Sequence, residues 1–138
     1  MREILFRGKR LDNGEWVYGG YHYEHGFSKD NEKHYITVYE TYGSFTYNEF
    51  VEVNATTIGQ FTDVFDKYGN KIFEGDIIRV MLPNNKPKRD FIARALWDSA
   101  FIGFRLSKYD YFMNANRYGF EIIGNIHDNK ELLKWAKN

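Results

Sequence analysis

One segment of this chain is rich in histidine and carboxylate side chains, which are the residue types that could bind a metal ion. Its members are His22, Glu24, His25, Asp30 and His34. A zinc site needs three or four such ligands, held in place by supporting hydrogen bonds. His22 and His25 have a helix-like spacing, but their aromatic and glycine neighbours are not typical of a helix. We therefore interpret 22–33 as a polar loop and predict no metal and no cofactor.

Residues for nucleophilic or acid–base catalysis are few. The chain has no cysteine, which excludes thiol nucleophiles and disulfides. The serines fall at predicted turns or loops: Ser28, Ser44, Ser99 and Ser107. Phosphate-loop, hydrolase and metalloprotease motifs do not occur. We predict a protein that is not an enzyme. A site built from Glu74, Asp76 and a histidine, with Asp98 as a further carboxylate, is the enzymatic alternative, although no partner that would perturb these carboxylates is visible.

The local cluster of positive charge lies in and after the segment Pro83–Arg89, which contains both prolines. Proline lacks the amide donor of a central strand, so this segment is predicted to be a loop. Its cations, with one from the following strand, are Lys86, Lys88, Arg89 and Arg94. Two interpretations stay open. The loop is either a solvated hairpin tip or a contact for nucleic-acid phosphates, whose affinity would fall steeply with salt.

Aromatic side chains make up 19% of the chain. One group of neighbours is predicted to form an aromatic surface: Thr37, Tyr39, Tyr42, Phe45 and Tyr47. Such a surface could stack bases, cover a partner or pack within a sheet. Aromatic rings do not select nucleic acid without positive charge beside them, so we favour packing or self-association.

Alternation of apolar and polar residues predicts antiparallel hairpins. The predicted strands are Glu3–Arg10, Trp16–Tyr23, His34–Glu40, Phe45–Val53 (broken near Asn48), Phe91–Trp97, Phe101–Leu106 and Phe120–Ile126. The pair Gly19-Gly20 predicts a bulge or a close approach by another backbone.

The stretch Thr57–Val80 organises the middle of the chain. Asp66 and Gly69 bound a turn, since Asp accepts local hydrogen bonds and Gly takes positive φ. Glu74-Gly75-Asp76 is predicted to form a second corner, before a buried strand over Ile77–Leu82.

A short C-terminal helix is predicted to start at Asp128 or Asn129. Its apolar stripe includes Leu132, Leu133 and Trp135. A helix of this length is unstable alone, so it must dock on its own sheet or on another subunit. These three residues are therefore candidates for self-association.

Three stretches resemble one known family. They are TIGQFT with DKYGNKIFEGDIIRV in the middle, FEIIGNIHDNKELL at the end, and ILFRGKR with GEWVYG at the start. Together they resemble the YopX family of phage and prophage proteins. Asp63 stands where that family commonly has Gly, Phe73 where it has Tyr, and Lys130 where it has Pro. The resemblance implies a mainly β, self-associating protein of phage origin, and it supplies no activity for particular residues.

Length and charge complete the prediction. The chain has 138 residues, which suits one domain over 1–138, with 1–53 as a candidate N-terminal sheet and 54–138 as a barrel-like core. Nineteen acidic and nineteen basic residues cancel, which gives little protection against self-association. No apolar run approaches the ~20 residues of a membrane span, and Met1 is not followed by a signal-like core.

The expected fold is mainly β, with antiparallel sheets in a barrel-like or sandwich-like core and a short C-terminal helix. We expect a cytoplasmic protein of a bacterial host cell, homo-oligomeric, with a host or phage protein as partner and no membrane contact. Binding of nucleic acid through Lys86–Arg94 is the alternative function.

Overall fold

The computed structural model describes residues 1–82, 90–107 and 118–136. Nine antiparallel strands are described in chain order: β1 Phe6–Arg10, β2 Trp16–Glu24, β3 Lys33–Tyr42, β4 Phe45–Phe65, β5 Lys71–Phe73, β6 Asp76–Met81, β7 Phe91–Asp98, β8 Gly103–Leu106 and β9 Gly119–Asn125. Short 3₁₀ helices cover Lys29–Asn31 and Lys130–Lys134. The mainly β, antiparallel prediction is confirmed.

Contacts divide the chain into two compact units, Met1–Gln60 and Phe61–Asn138. The predicted division of a single domain into 1–53 and 54–138 stays a prediction.

The first unit is a ring of paired strands. β1 pairs with β2 and with β4, and β3 lies between β2 and β4. Alternating residues of these strands face one core, since successive side chains of a strand point to opposite faces. The buried centre of that core is Ile36, Val51 and Val53, packed against half-buried Phe6, Val17, Val38 and Ile58.

Gly19 lies where β2 changes partner, from β1 to β3. A Cβ placed on Gly19 would stand 2.0 Å from the carbonyl oxygen of Thr37, whereas one on Gly20 would meet nothing closer than 3.9 Å. The predicted close approach by another backbone is therefore confirmed at Gly19.

The predicted break of the fourth strand near Asn48 is wrong. β4 continues from Phe45 to Phe65, and Asn48 pairs with Tyr39 of β3. Asparagine has a low strand preference, but pairing with a neighbouring strand decides such positions. β4 is irregular later, in two places. Its register with β1 shifts between Asn54 and Gly59, and its register with β5 shifts around Asp63, which takes φ of 67°.

The second unit contains the sheet with strand order β8-β7-β6-β9. Its core residues are Ile72, Ile78, Val80, Ala93, Ala95, Leu106 and Phe120. The predicted turn and corner are both confirmed. Asp66 Oδ1 accepts hydrogen bonds from the amides of Tyr68 and Asn70, each at 2.9 Å. Gly75 has φ of 90°, and Asp76 Oδ2 accepts from the amide of Phe73 at 2.8 Å.

Two predictions for this unit need correction: the start of β8 and the type and capping of the C-terminal helix. β8 begins at Gly103 and not at Phe101, because Ile102 takes φ of 52°, outside the strand region. The C-terminal helix is 3₁₀, and the Asn129 side chain makes no cap hydrogen bond to it. Asn129 Oδ1 accepts instead from the amide of Asn125, at 3.1 Å.

Ser107, which is predicted to lie at a turn or loop, is buried. Its hydroxyl donates to the carbonyl of Ala136 at 2.8 Å and accepts from the amide of Arg94 at 3.0 Å. This bridge ties the C-terminal segment to β7 of the same unit. Among the described residues, no helix is long and apolar enough to cross a membrane.

Candidate interaction surface

The β3–β4 hairpin extends past the ring of strands. We call Thr37–Phe50 the arm. Its two strands pair from Thr37 with Phe50 to Tyr42 with Phe45, and Gly43 at φ of 60° closes the turn. In the part of the chain that the structure describes, Val38–Glu49 pairs within the hairpin and with no third strand. Val38–Glu49 is thus a two-stranded ribbon whose edges are not paired by any other described strand, while Thr37 at its base pairs with Gly20 of β2.

The arm exposes large aromatic side chains. Tyr39, Tyr42, Phe45, Tyr47 and Phe50 are all exposed. An isolated two-stranded hairpin is marginally stable in water, and large exposed apolar patches mark interaction sites. The predicted aromatic surface did not include Phe50. Phe50 shares a face with Tyr39 through the pairing register of β3 with β4, which the sequence alone does not give.

The pairing register divides the arm into two faces of different charge. One face, which we call the glutamate face, carries Val38, Glu40, Tyr42, Phe45, Tyr47 and Glu49. The opposite face, which we call the neutral face, carries Thr37, Tyr39, Thr41, Thr46, Asn48 and Phe50. The division follows from the two-residue period of strands.

On the glutamate face, the rings of Tyr42 and Tyr47 are nearly parallel, with centroids 5.7 Å apart and an 8° angle between planes. A hydrogen bond with Tyr42 raises the pKa of Tyr47, and partial burial and the charges of Glu40 and Glu49 raise it further. Tyr47 is therefore neutral at physiological pH, and the negative charge of this face comes from its two glutamates.

On the neutral face, the hydroxyls of Thr41 and Thr46 lie 3.2 Å apart and hydrogen-bond across the strands. At the base of the arm, the Phe50 ring meets the rings of His22 and Tyr35, at centroid distances of 5.5 and 6.3 Å. The neutral face therefore continues onto β2 through aromatic contacts.

The histidine-rich segment is shorter than the predicted 22–33 loop, because β2 continues to Glu24 and β3 begins at Lys33. No group of three or more metal-binding side chains is found among the described residues. The histidines contact tyrosines instead. His34 Nδ1 lies 2.6 Å from the hydroxyl of Tyr21, and the ring of His25 lies 4.4 Å from that of Tyr23. A hydrogen bond to Glu32 raises the pKa of Tyr23 to about 12.

Of the carboxylates proposed for catalysis, Glu74 and Asp76 share the Gly75 corner, whereas Asp98 lies at the end of β7. Asp76 is buried in the Gly75 corner. A Cβ atom added to Gly75 would lie 3.7 Å from His127 Nε2. Asp98 forms an ion pair with Arg105 that lowers its pKa. Glu74 is half-buried. The enzymatic alternative stays a prediction.

Most of the basic cluster, namely Lys86, Lys88 and Arg89, lies outside the described residues. Arg94 is half-buried on β7, opposite Ile77 of β6. The nucleic-acid alternative stays a prediction.

The C-terminal candidates are only partly available for contact. Leu132 and Leu133 are half-buried, while Trp135 is exposed, with the Lys134 Nζ atom 5.2 Å from its ring centre. Because Ala136 is tied to Ser107, this segment docks on its own unit. Trp135 is the member of the predicted set that stays at the surface.

A family model described as YopX protein matches residues 5–134. The chain belongs to the YopX family. The solved structure of protein EF1440 from Enterococcus faecalis is similar to this YopX chain, with a TM-score of 0.61 and 24% identity, over 96% of this chain and 99% of that one. At this identity the likeness concerns the fold. No curated protein matches the chain.

The YopX-like stretches account for turns and not for the arm. In Thr57–Val80 they supply the Asp66 turn and the Gly75 corner, and Asp63 occupies a left-handed position that suits glycine. The arm lies between the stretch at the start of the chain and the stretch in its middle. Its aromatic surface therefore does not follow from the turn motifs.

Proposed function

We propose that this YopX-family protein is a non-enzymatic phage or prophage accessory protein that self-associates and acts through protein contacts in the cytoplasm of a bacterial host. The observation that carries the proposal is the arm, with five exposed aromatic rings. Tyrosine and phenylalanine are enriched at protein interfaces.

The edges of the arm support the same proposal. Natural proteins usually protect open strand edges with lysine, proline or bulges, because an unprotected edge pairs with other chains. Val38–Phe50 contains no lysine, arginine or proline. A ribbon with such a sequence is expected to bind a partner, since its edges and aromatic rings would otherwise stay exposed to water.

Sedimentation equilibrium over a roughly hundredfold range of concentration tests self-association. The monomer has a mass of 16.5 kDa. We expect the average mass to rise with concentration to at least twice that value. A second sample, in which Tyr39–Asn48 is replaced by Asn-Gly to shorten the arm while Val38 stays opposite Glu49, is expected to stay monomeric. A wild-type mass that stays at the monomer value throughout would overturn the proposal.

Recovery of the tagged protein from its host, with and without nuclease, tests the protein-contact part. A phage or host protein that is retained after nuclease treatment supports it. Recovery that disappears with nuclease would instead favour the nucleic-acid alternative.

A further inference from the structure

We propose that two copies of this chain meet through the neutral faces of their arms, while the glutamate faces stay in water. The inference rests on the proposed self-association and states which face makes the contact. A twofold-symmetric contact presents the same patch from both copies, so the composition of each face decides how well it fits itself.

Charge argues against self-contact through the glutamate face. Stacking two such faces would gather four carboxylates, from Glu40 and Glu49 of each copy, in one interface. Arg10 lies within electrostatic range of Glu49, but its guanidinium already forms an ion pair with Asp12 at 2.9 Å. Like charges brought together and removed from water are strongly unfavourable.

The neutral face carries no charged side chain between Thr37 and Phe50. Its two rings stand among short polar side chains, and two of these, Thr41 and Thr46, already hydrogen-bond to each other. Little polar surface would therefore lose its hydrogen bonds on contact, and the rings of Tyr39 and Phe50 have few rotamers to lose.

The exposed area matches a weak dimer. Tyr39 is 68% and Phe50 56% exposed, which corresponds to about 250 Å² of ring surface per copy. The face also includes exposed Thr41, Thr46 and Asn48 and the adjoining His22, so two copies would together bury on the order of 1,000 Å². This is the lower limit of specific interfaces, so we expect a dimer whose population depends on concentration.

The arm offers a matched pair of double variants. Tyr39→Ser with Phe50→Ser removes one tyrosine and one phenylalanine from the neutral face. Tyr42→Ser with Phe45→Ser removes the same residue types from the same strands on the glutamate face. Tyr42 and Phe45 are 62% and 77% exposed, so the control removes at least as much exposed ring surface.

Sedimentation equilibrium of wild type and both double variants gives the dimer dissociation constant. We expect the neutral-face variant to raise it at least about tenfold and the glutamate-face variant less than about threefold. Thermal unfolding followed by circular dichroism establishes that both variants are folded.

Disulfide cross-linking of single-cysteine variants is a second measurement, and these variants keep the aromatic rings of the neutral face. Because the chain has no cysteine, any disulfide formed by Asn48→Cys or Tyr47→Cys must join two copies. These positions are adjacent on β4 but face opposite ways. Under mild oxidation, Asn48→Cys is expected to give covalent dimer well above Tyr47→Cys.

The outcomes separate this inference from the proposed function. Wild type that stays monomeric overturns both. Wild type that dimerises, with equal losses in both double variants or the larger loss in the glutamate-face variant, overturns the choice of face and leaves self-association standing. Dimerisation unaffected by either variant, with equal cross-linking at both cysteines, overturns the arm contact itself.

Discussion

Asp66 holds its turn together through a buried carboxylate, and Asp66→Ala is expected to destabilise the protein by about 3 kcal/mol. Its Oδ1 atom accepts main-chain hydrogen bonds from Tyr68 and Asn70, each 2.9 Å long. A hydrogen bond to a charged group contributes about 1.5–3 kcal/mol net, and the loosened turn would recover part of two such bonds from water. Contacts of Oδ2 with Asn70 Nδ2 and the Ile122 amide, at 3.3 and 3.5 Å, add little.

The same carboxylate makes stability depend on pH. Burial raises the pKa of Asp66, but hydrogen bonds from Asn70, Tyr68 and Ile122 outweigh it, so the pKa lies below its ordinary value. Because folding lowers this pKa, the carboxylate stabilises the protein fully at pH values above the pKa of the unfolded chain, about 3.9. This stabilisation is lost as the pH falls through the pKa of the folded state. The difference in unfolding free energy between wild type and Asp66→Ala should therefore shrink at low pH.

Urea unfolding followed by circular dichroism, at neutral pH and near pH 3, measures both effects. Asp30→Ala is the control, because Asp30 is an exposed aspartate in the Lys29–Asn31 helix and should change stability by less than about 0.5 kcal/mol. A neutral-pH loss for Asp66→Ala no larger than that of Asp30→Ala would refute the role given to these hydrogen bonds.

Three further substitutions test the backbone and the buried hydroxyl, each by the midpoint of urea unfolding. Gly19→Ala should destabilise by more than about 2 kcal/mol, because its Cβ would overlap the Thr37 carbonyl, while Gly20→Ala should change stability little. Asp63→Gly should stabilise by about 1 kcal/mol, since Asp63 stands at φ of 67°, where glycine has no Cβ penalty. Ser107→Ala should cost about 1–3 kcal/mol, because its buried hydroxyl bridges two main-chain groups.

Each of these has a clear contrary result. Equal losses at Gly19 and Gly20 would show that the Thr37 contact does not limit side-chain size. A destabilised Asp63→Gly would mean that the aspartate makes a favourable contact that outweighs its backbone strain. An unchanged midpoint for Ser107→Ala would show that the C-terminal segment is held by other contacts.

Features that depend on local chemistry could be predicted from the sequence. The Asp66 turn needs an aspartate and a glycine a few residues apart, and the Gly75 corner needs positive φ, so both were visible without the fold. The close approach at Gly19 was visible for a similar reason, because glycine inside a strand often marks a bulge or a closely approaching backbone.

Features that depend on distant partners could not be predicted. Asn48 continues its strand because Tyr39 pairs with it, and Ser107 is buried because residues near the C-terminus and on β7 use its hydroxyl. The division of the arm into a charged and a neutral face also requires the register of β3 against β4. The residue types alone showed an aromatic group, and only the register assigned Tyr39 and Phe50 to one face.

Amide hydrogen exchange in the arm, measured at a low and a high protein concentration, tests self-association through the arm most directly. Amides of a marginal two-stranded ribbon exchange quickly in a monomer. We predict that exchange in Val38–Glu49 slows as concentration rises, while exchange in β6 and β9 stays the same. Arm amides that exchange equally fast at both concentrations, in a sample whose mass has doubled, would contradict the account and place the contact elsewhere on the chain.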